Sequence, residues 1–230
     1  MNAKTEMCNK SLNTEIILTR DGSPSLFVPE LNEQYHSRFG AITESLHIYI
    51  GHGLNALHSN NISIFELGFG TGLNAFLTLI EAKNSQIKVN YEAIELYPLS
   101  LVIINRLNYP SKIEGSDSNS YFKLHEAEWG KKTKLSAHFA LKKIHQDFRT
   151  YNFVRKYDLF YFDAFAPAVQ PELWTQEIFN KIYDAMNPGA ILVTYSAMGE
   201  IRRRLIATGL EVKRLSGPPG KREILQAYKP

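Results

Sequence analysis

Between Ile62 and Asn74 the chain reads Ile-Ser-Ile-Phe-Glu-Leu-Gly-Phe-Gly-Thr-Gly-Leu-Asn, with glycine at positions 68, 70 and 72. Apolar residues run up to Glu66, and a helical pattern opens at Leu73. A buried strand, a tight turn and a helix N-terminus in that order form a βα unit of an open α/β sheet, where ligands bind beyond the strand ends. Glycine suits such a turn because it accepts unusual dihedrals and lets a ligand approach bare backbone. The spacing is not the Gly-x-Gly-x-x-Gly of dinucleotide sites, whose amides hold a pyrophosphate. With Glu66 at its head, the loop suits a cationic or amino-bearing ligand better than a diphosphate. Glu66, Gly68, Gly70 and Gly72 are the first candidate cofactor residues.

The rest of the chain extends the alternation. Glu15–Thr19 and Ser25–Val28 flank Asp21-Gly22, a strong hairpin signal, so a β-hairpin is expected ahead of the sheet. Apolar residues at helical spacing from Ile42 to Leu57 predict one helix over about 41–57. On that helix, Glu44 and Ser45 either reach the cofactor or line a solvated face. Helix 73–82 and strand 89–95 follow, and Pro98 is read as opening a helix through Leu107. Residues 108–135 break the rhythm, as functional lids and binding loops often do. Strands at 137–144 and 157–162, a helix over 175–186 stopped by Asn187-Pro188-Gly189, and a strand at 190–195 come next. A helix from about 200 to 207 leads to strands 210–215 and 223–228. The seven residues between those last strands are too few for a helical crossover, so they should pair antiparallel. The expectation is one domain over 1–230: an N-terminal extension over 1–58, and a Rossmann-like core over 59–230 with a mostly parallel sheet.

At 230 residues the chain suits a single α/β domain. Its one cysteine, Cys8, excludes an internal disulfide and a cysteine zinc site, and suits a reducing cytoplasm. Residues 1–15 are polar and expected to fray up to about Asn13, without the apolar stretch of a signal peptide. No apolar run reaches the roughly 18 residues of a membrane span. His47, His52 and His58 lack the i, i+4 pairing of a helical zinc site, so no metal is expected.

Three groups of residues carry chemistry. Glu66, Glu95, Asp147 and Asp163 fall at or near the ends of four successive strands, which places them along one crevice. Glu95 stands about twenty positions beyond the glycines, where an acidic residue takes ribose hydroxyls in Rossmann-like sheets. Asp163-Ala164-Phe165-Ala166-Pro167 follows an apolar strand. There a carboxylate can draw in an alkyl ammonium, accept its proton and orient the amine, with Phe165 stacking on a planar base and Pro167 stiffening the loop. Third come Lys131, Lys132, Lys134, Arg202–Arg204, Lys213, Arg214, Lys221 and Arg222, suited to RNA phosphates despite a net charge of only +3.

The glycine stretch resembles the first motif of class I S-adenosylmethionine-dependent methyltransferases. Together with Glu95-Leu96-Tyr97-Pro98-Leu99, Asp163–Ala168, Pro171-Glu172-Leu173-Trp174-Thr175, Tyr195-Ser196-Ala197 and Gly220-Lys221-Arg222-Glu223, it is similar to the family that completes 5-methylaminomethyl-2-thiouridine at the tRNA wobble position. The resemblance runs from the Asp21-Gly22 hairpin to the last strand. It implies the class I fold, S-adenosyl-L-methionine as cofactor, tRNA as substrate and the primary amine of a 5-aminomethyl uridine as methyl acceptor. It also implies Asp163 as the catalytic residue, with the glycine loop, Glu95 and Asp147 for the cofactor. In many bacteria that domain is fused to a flavin-dependent oxidoreductase that supplies the amine; this sequence resembles the methyltransferase part alone, so a separate enzyme is the expected source of the aminomethyl group. Rival readings are an aminopropyltransferase like spermidine synthase, a non-catalytic RNA-binding module and, disfavoured by the glycine spacing, an NAD-dependent dehydrogenase.

Overall fold

A computed structural model describes residues 12–230. The polar arm expected to fray, and Cys8 with it, therefore falls largely outside the described residues. The chain starts with a small antiparallel sheet of β1 (Glu15–Leu18), β2 (Pro24–Val28) and β3 (Glu33–Gln34). The expected hairpin is present, with Gly22 at φ 77° in its turn. The main sheet has eight strands in the order β10-β11-β9-β8-β4-β5-β7-β6. Its centre is parallel: β9 (Met186–Thr194), β8 (Tyr157–Phe162), β4 (Asn61–Leu67), β5 (Lys88–Glu95) and β7 (Phe139–His145). β10 (Glu211–Ser216) and β11 (Glu223–Tyr228) form the antiparallel hairpin that the short connection requires. β6 (Lys132–Lys134) adds an antiparallel edge beside β7.

Residues alternate across this sheet into two buried layers. Leu159 and Tyr161 of β8 face one layer with α2 (Leu73–Asn84). Phe160 and Phe162 face the other with α5 (Gln176–Asp184) and α6 (Gly199–Ala207). β4 lies between β5 and β8, and the chain moves outward from it in opposite directions on the two sides. The carboxyl ends of β4 and β8 therefore flank the switch point at which open sheets bind ligands.

Four local expectations are corrected. The helix expected over 41–57 is α1 (Ala41–Ser45), a π-helical turn at Leu46–Gly51 and a 3-10 turn at Leu54–Ala56. A Cβ at Gly53 would run into the Tyr49 carbonyl, so the chain closes tightly there instead of continuing as helix. α3 starts at Leu101 and not at Pro98, because the Ser100 side chain caps it by accepting the Ile103 N–H. Asn187-Pro188-Gly189 does not stop α5; it lies inside β9, where the pairing with β8 shifts register. A bulge accepts the proline that a regular ladder would reject.

The 108–135 segment contributes no residue to the main cavity, which corrects the lid reading. Tyr109, Tyr121 and Leu124, the last two on α4 (Ser118–Glu126), are buried behind the glycine turn. The Tyr121 hydroxyl donates to the Thr71 carbonyl at 3.1 Å. The segment props the turn from behind.

Candidate active site

A cavity of about 420 Å³ opens at the switch point. Its floor is Gly68–Thr71 of the turn after β4, in which Gly68, Gly70 and the following Gly72 stand at φ 90°, 48° and 70°. Each glycine answers to a different neighbour. A Cβ at Gly68 would lie 2.5 Å from the Asp163 carbonyl oxygen, one at Gly72 would lie 2.7 Å from the His125 ring, and one at Gly70 would lie 3.2 Å from the Tyr35 ring. The Gly70 N–H donates to Glu95 Oε2 at 3.0 Å, while Glu95 Oε1 accepts the Tyr97 N–H at 2.9 Å. Glu95 thus ties the turn to the end of the neighbouring strand.

Asp163 is the chemical centre of the cavity. Tyr49, on the π-helical turn, donates its hydroxyl to Asp163 Oδ1 at 2.6 Å. Asn74, in the first turn of α2, donates to Oδ2 at 2.8 Å and to Glu66 Oε1 at 3.1 Å. Burial outweighs these two donors and pushes the Asp163 carboxyl up to about 7. Glu66 is fully buried beneath it; burial first, then the Asp163 charge, raise its carboxyl well above the usual range. The loop after Asp163 is held in shape on both sides: Trp174 Nε1 donates to the Phe165 carbonyl at 2.8 Å, and the Tyr195 hydroxyl to the Ala164 carbonyl at 2.9 Å. Phe165 meets Tyr35 edge to face at 5.1 Å.

The strand-end acids are not equivalent. Asp163, Glu95 and Asp147 line the cavity, whereas Glu66 lies under its floor. Both Asp147 oxygens are held by the Arg149 side chain at 2.6–3.1 Å, and these bonds keep its carboxyl below the ordinary range. Gly68, Gly70, Phe165 and Lys221 also line the cavity; Gly72, Pro167 and Arg222 do not.

The basic group divides. Arg204 pairs with Glu200 and bonds the Trp174 carbonyl, Arg214 pairs with Glu223 at 3.0 Å, and Lys131 with Glu128 at 2.7 Å. Lys221 turns inward, its Nζ 2.7 Å from Glu44 Oε1 and 4.0 Å from the centroid of the Tyr195 ring. Arg222 is exposed. Sequence reasoning gave no site role to Tyr35, Tyr49, Asn74 or Tyr195, although Asn74 and Tyr195 lie in the motifs that carry the resemblance, and Glu44 was left open there.

The geometry has relatives. A family model of S-adenosyl-L-methionine-dependent methyltransferases matches residues 119–230. A tRNA 5-methylaminomethyl-2-thiouridine biosynthesis bifunctional protein MnmC from Cupriavidus metallidurans is 28% identical over 230 residues, covering 93% of this chain and 33% of its own length. The crystal structure of MnmC2 from Aquifex aeolicus superposes with a TM-score of 0.75 at 25% identity, over 95% of this chain and 71% of that one. The chain is similar to MnmC proteins and has the fold of S-adenosyl-L-methionine-dependent methyltransferases. It spans about a third of the length of the curated relatives it matches. Spermidine synthase from Thermotoga maritima shares the fold alone, with a TM-score of 0.55 at 12% identity. Within this chain, the family match begins at residue 119 and takes in Asp163, its loop and the C-terminal hairpin.

Proposed function

We propose that this MnmC-like chain methylates the primary amine of a 5-aminomethyl (2-thio)uridine at the tRNA wobble position, with S-adenosyl-L-methionine as methyl donor. The observation that carries the reading is Asp163, a carboxylate at the switch point held by two neutral donors and poised to take a proton near neutral pH. The names of the relatives supply the substrate class.

The cavity suits the cofactor. The Gly68–Gly70 turn offers backbone with no side chain in the way, and the carboxylates of Glu95 and Asp147 stand on the same rim for hydroxyl and amino groups. When bound, the cofactor supplies an electrophilic methyl group on sulfur. The chain's own part is to prepare the acceptor. An alkyl ammonium near the lysine value of about 10.4 has no free lone pair at neutral pH. Asp163 takes its proton and holds the resulting amine by hydrogen bonding, while the Tyr49 and Asn74 bonds fix the plane of the carboxylate. The nitrogen lone pair forms the new bond to carbon as the carbon–sulfur bond breaks. Phe165 and Tyr35 supply aromatic surface for the base. Exposed Arg222 and Arg203, without ion pairs among the described residues, suit the phosphates. The reaction belongs in the cytoplasm with its tRNA. Among the described residues no helix is long and apolar enough to cross a membrane.

Asp163→Asn tests this. Transfer of labelled methyl to tRNA carrying the aminomethyl group should lose about 10²–10⁴-fold in kcat, the usual worth of such proton transfer, with cofactor affinity retained. Partial recovery is expected at high pH, where the amine deprotonates unaided. Near-wild-type turnover at neutral pH would remove Asp163 from the mechanism.

A further inference from the structure

The cavity already contains a primary ammonium, the one on Lys221. Its environment consists of fixed groups. Glu44 is 7% exposed, and its second oxygen accepts the Ser37 N–H at 2.8 Å, so the carboxylate cannot swing away. Tyr195 is anchored by its hydroxyl at the Ala164 carbonyl and packs against Trp174 at 6.0 Å. Lys221 itself sits at the end of a flexible four-carbon stem and is 26% exposed. It projects from the β10–β11 turn, which docks on the N-terminal extension through Gly220; a Cβ there would run into the Phe39 ring. Glu44 and Lys221 both act on Asp163, the first raising its carboxyl and the second lowering it, so all three share one electrostatic neighbourhood.

A carboxylate, an aromatic face and a nearby base make up a receptor for an ammonium on a methylene group. The proposed acceptor presents the same group. Resting on that functional reading, we propose that Lys221 is a displaceable stand-in for the substrate: the acceptor ammonium exchanges with it and docks on Glu44 and the Tyr195 face, beside Asp163. The exchange keeps a cation on Glu44 up to the proton transfer to Asp163. That matters because removing one partner of a buried ion pair leaves an uncompensated charge and is strongly destabilising. It also builds selectivity, since a neutral head group cannot replace Lys221 without leaving Glu44 unpaired.

The test is a pair of substitutions with opposite expected signs, assayed by methyl transfer to the nucleoside 5-aminomethyluridine, which has no phosphates. Lys221→Met empties the subsite and should lower KM about tenfold if Lys221 leaves it open one-tenth of the time. Lys221→Arg holds Glu44 through a planar fork and should raise KM several-fold. A purely structural lysine would give the reverse order, with Arg near wild type and Met impaired, and that result overturns the proposal. A second measurement does not depend on turnover. Ethylammonium chloride should raise the Tm of Lys221→Met well above the effect of sodium chloride at equal ionic strength. It should do so neither in wild type nor in the Lys221→Met/Glu44→Gln double variant. Equal responses in all three overturn the subsite. If no acceptor is methylated but the ammonium effect is present, the functional reading fails while the subsite stands. Should Lys221→Met fail to fold, Lys221→Gln takes its place in both measurements, and Lys221→Arg with unchanged KM overturns the exchange by itself.

Discussion

Tyr49→Phe removes one oxygen from the site and keeps the ring that packs on Tyr161 at 5.1 Å. The lost bond is short, 2.6 Å, and ends on a carboxylate. Hydrogen bonds to charged groups contribute about 1.5–3 kcal/mol, equivalent to about 1–2 pH units. Water from the cavity offsets part of that loss, so about one unit is the working figure. The sign follows from which form the hydroxyl favours. Tyr49 donates to the ionised carboxylate, so without it Asp163 titrates higher than its wild-type value of about 7. Glu44 pushes the same way and Lys221 opposes it, while Glu66, Tyr91 and Tyr195 are all held toward their protonated forms; none of these is changed by the substitution. The acid limb of the kcat profile should therefore move up by about one unit, which lowers turnover at pH 7 roughly fivefold and leaves it nearly unchanged above pH 9. The assay is single-turnover methyl transfer at saturating cofactor from pH 5.5 to 9.5, with cofactor affinity measured in parallel. A uniform loss at every pH would make Tyr49 a packing residue only. An acid limb that stays in place or moves down would refute the argument.

Gly70→Val should abolish cofactor binding by calorimetry, because a side chain there meets the Tyr35 ring at 3.2 Å from a backbone held at φ 48°; unchanged affinity would displace the site from the turn. Gly72→Ala should weaken cofactor affinity and lower Tm together, because its Cβ would lie 2.7 Å from His125; an effect on neither would mean that the 108–135 segment does not support the turn. Lys143 is buried, bonds the His125 carbonyl and lies 4.8 Å from the Trp129 ring, and burial lowers its ammonium from the ordinary value to about 8. The unfolded chain holds that proton longer than the folded one, so wild-type stability measured against Lys143→Met should rise from pH 8 to about 10.4, and a flat difference would refute the shift. Arg222→Ala should raise KM for tRNA and flatten its salt dependence without touching KM for the free nucleoside; equal effects on both would move Arg222 into the cavity.

The parts of the site written in local sequence were legible. The glycine turn, the acids at strand ends and the short β10–β11 connection each have their physical cause within a few residues; the turn and the hairpin are where the pattern placed them, and of the four acids only Glu66 lies under the cavity and not along it. What escaped depends on contacts far apart in the chain. Tyr49 and Asp163 are 114 residues apart, and Glu44 meets Lys221 only because α1 and the β10–β11 turn come together at the cavity. A π-helical turn is also invisible to a search for 3.6-residue spacing, and it is this turn that carries Tyr49. The basic residues were less legible for a different reason. Their count is a property of composition, whereas four of the ten are held in ion pairs that composition does not record.

Neutral donors at Asp163 are a chemical necessity for the proposed role. A lysine or arginine placed directly on the carboxylate would lower its pKa by one to three units, leaving a stable anion with little proton affinity. Burial with no donor at all would raise it further, and the carboxyl would be protonated before the acceptor arrived. Tyr49 and Asn74 hold the balance between these limits, one bond to each oxygen. The nearest cation, Lys221, is paired with Glu44 and not with Asp163. Its displacement by the acceptor leaves one positive charge beside Asp163 before and after exchange, so the base meets its substrate with the same proton affinity that the free enzyme gives it. On the proposed function, Asp163 therefore stays basic because a second carboxylate, Glu44, holds the cation.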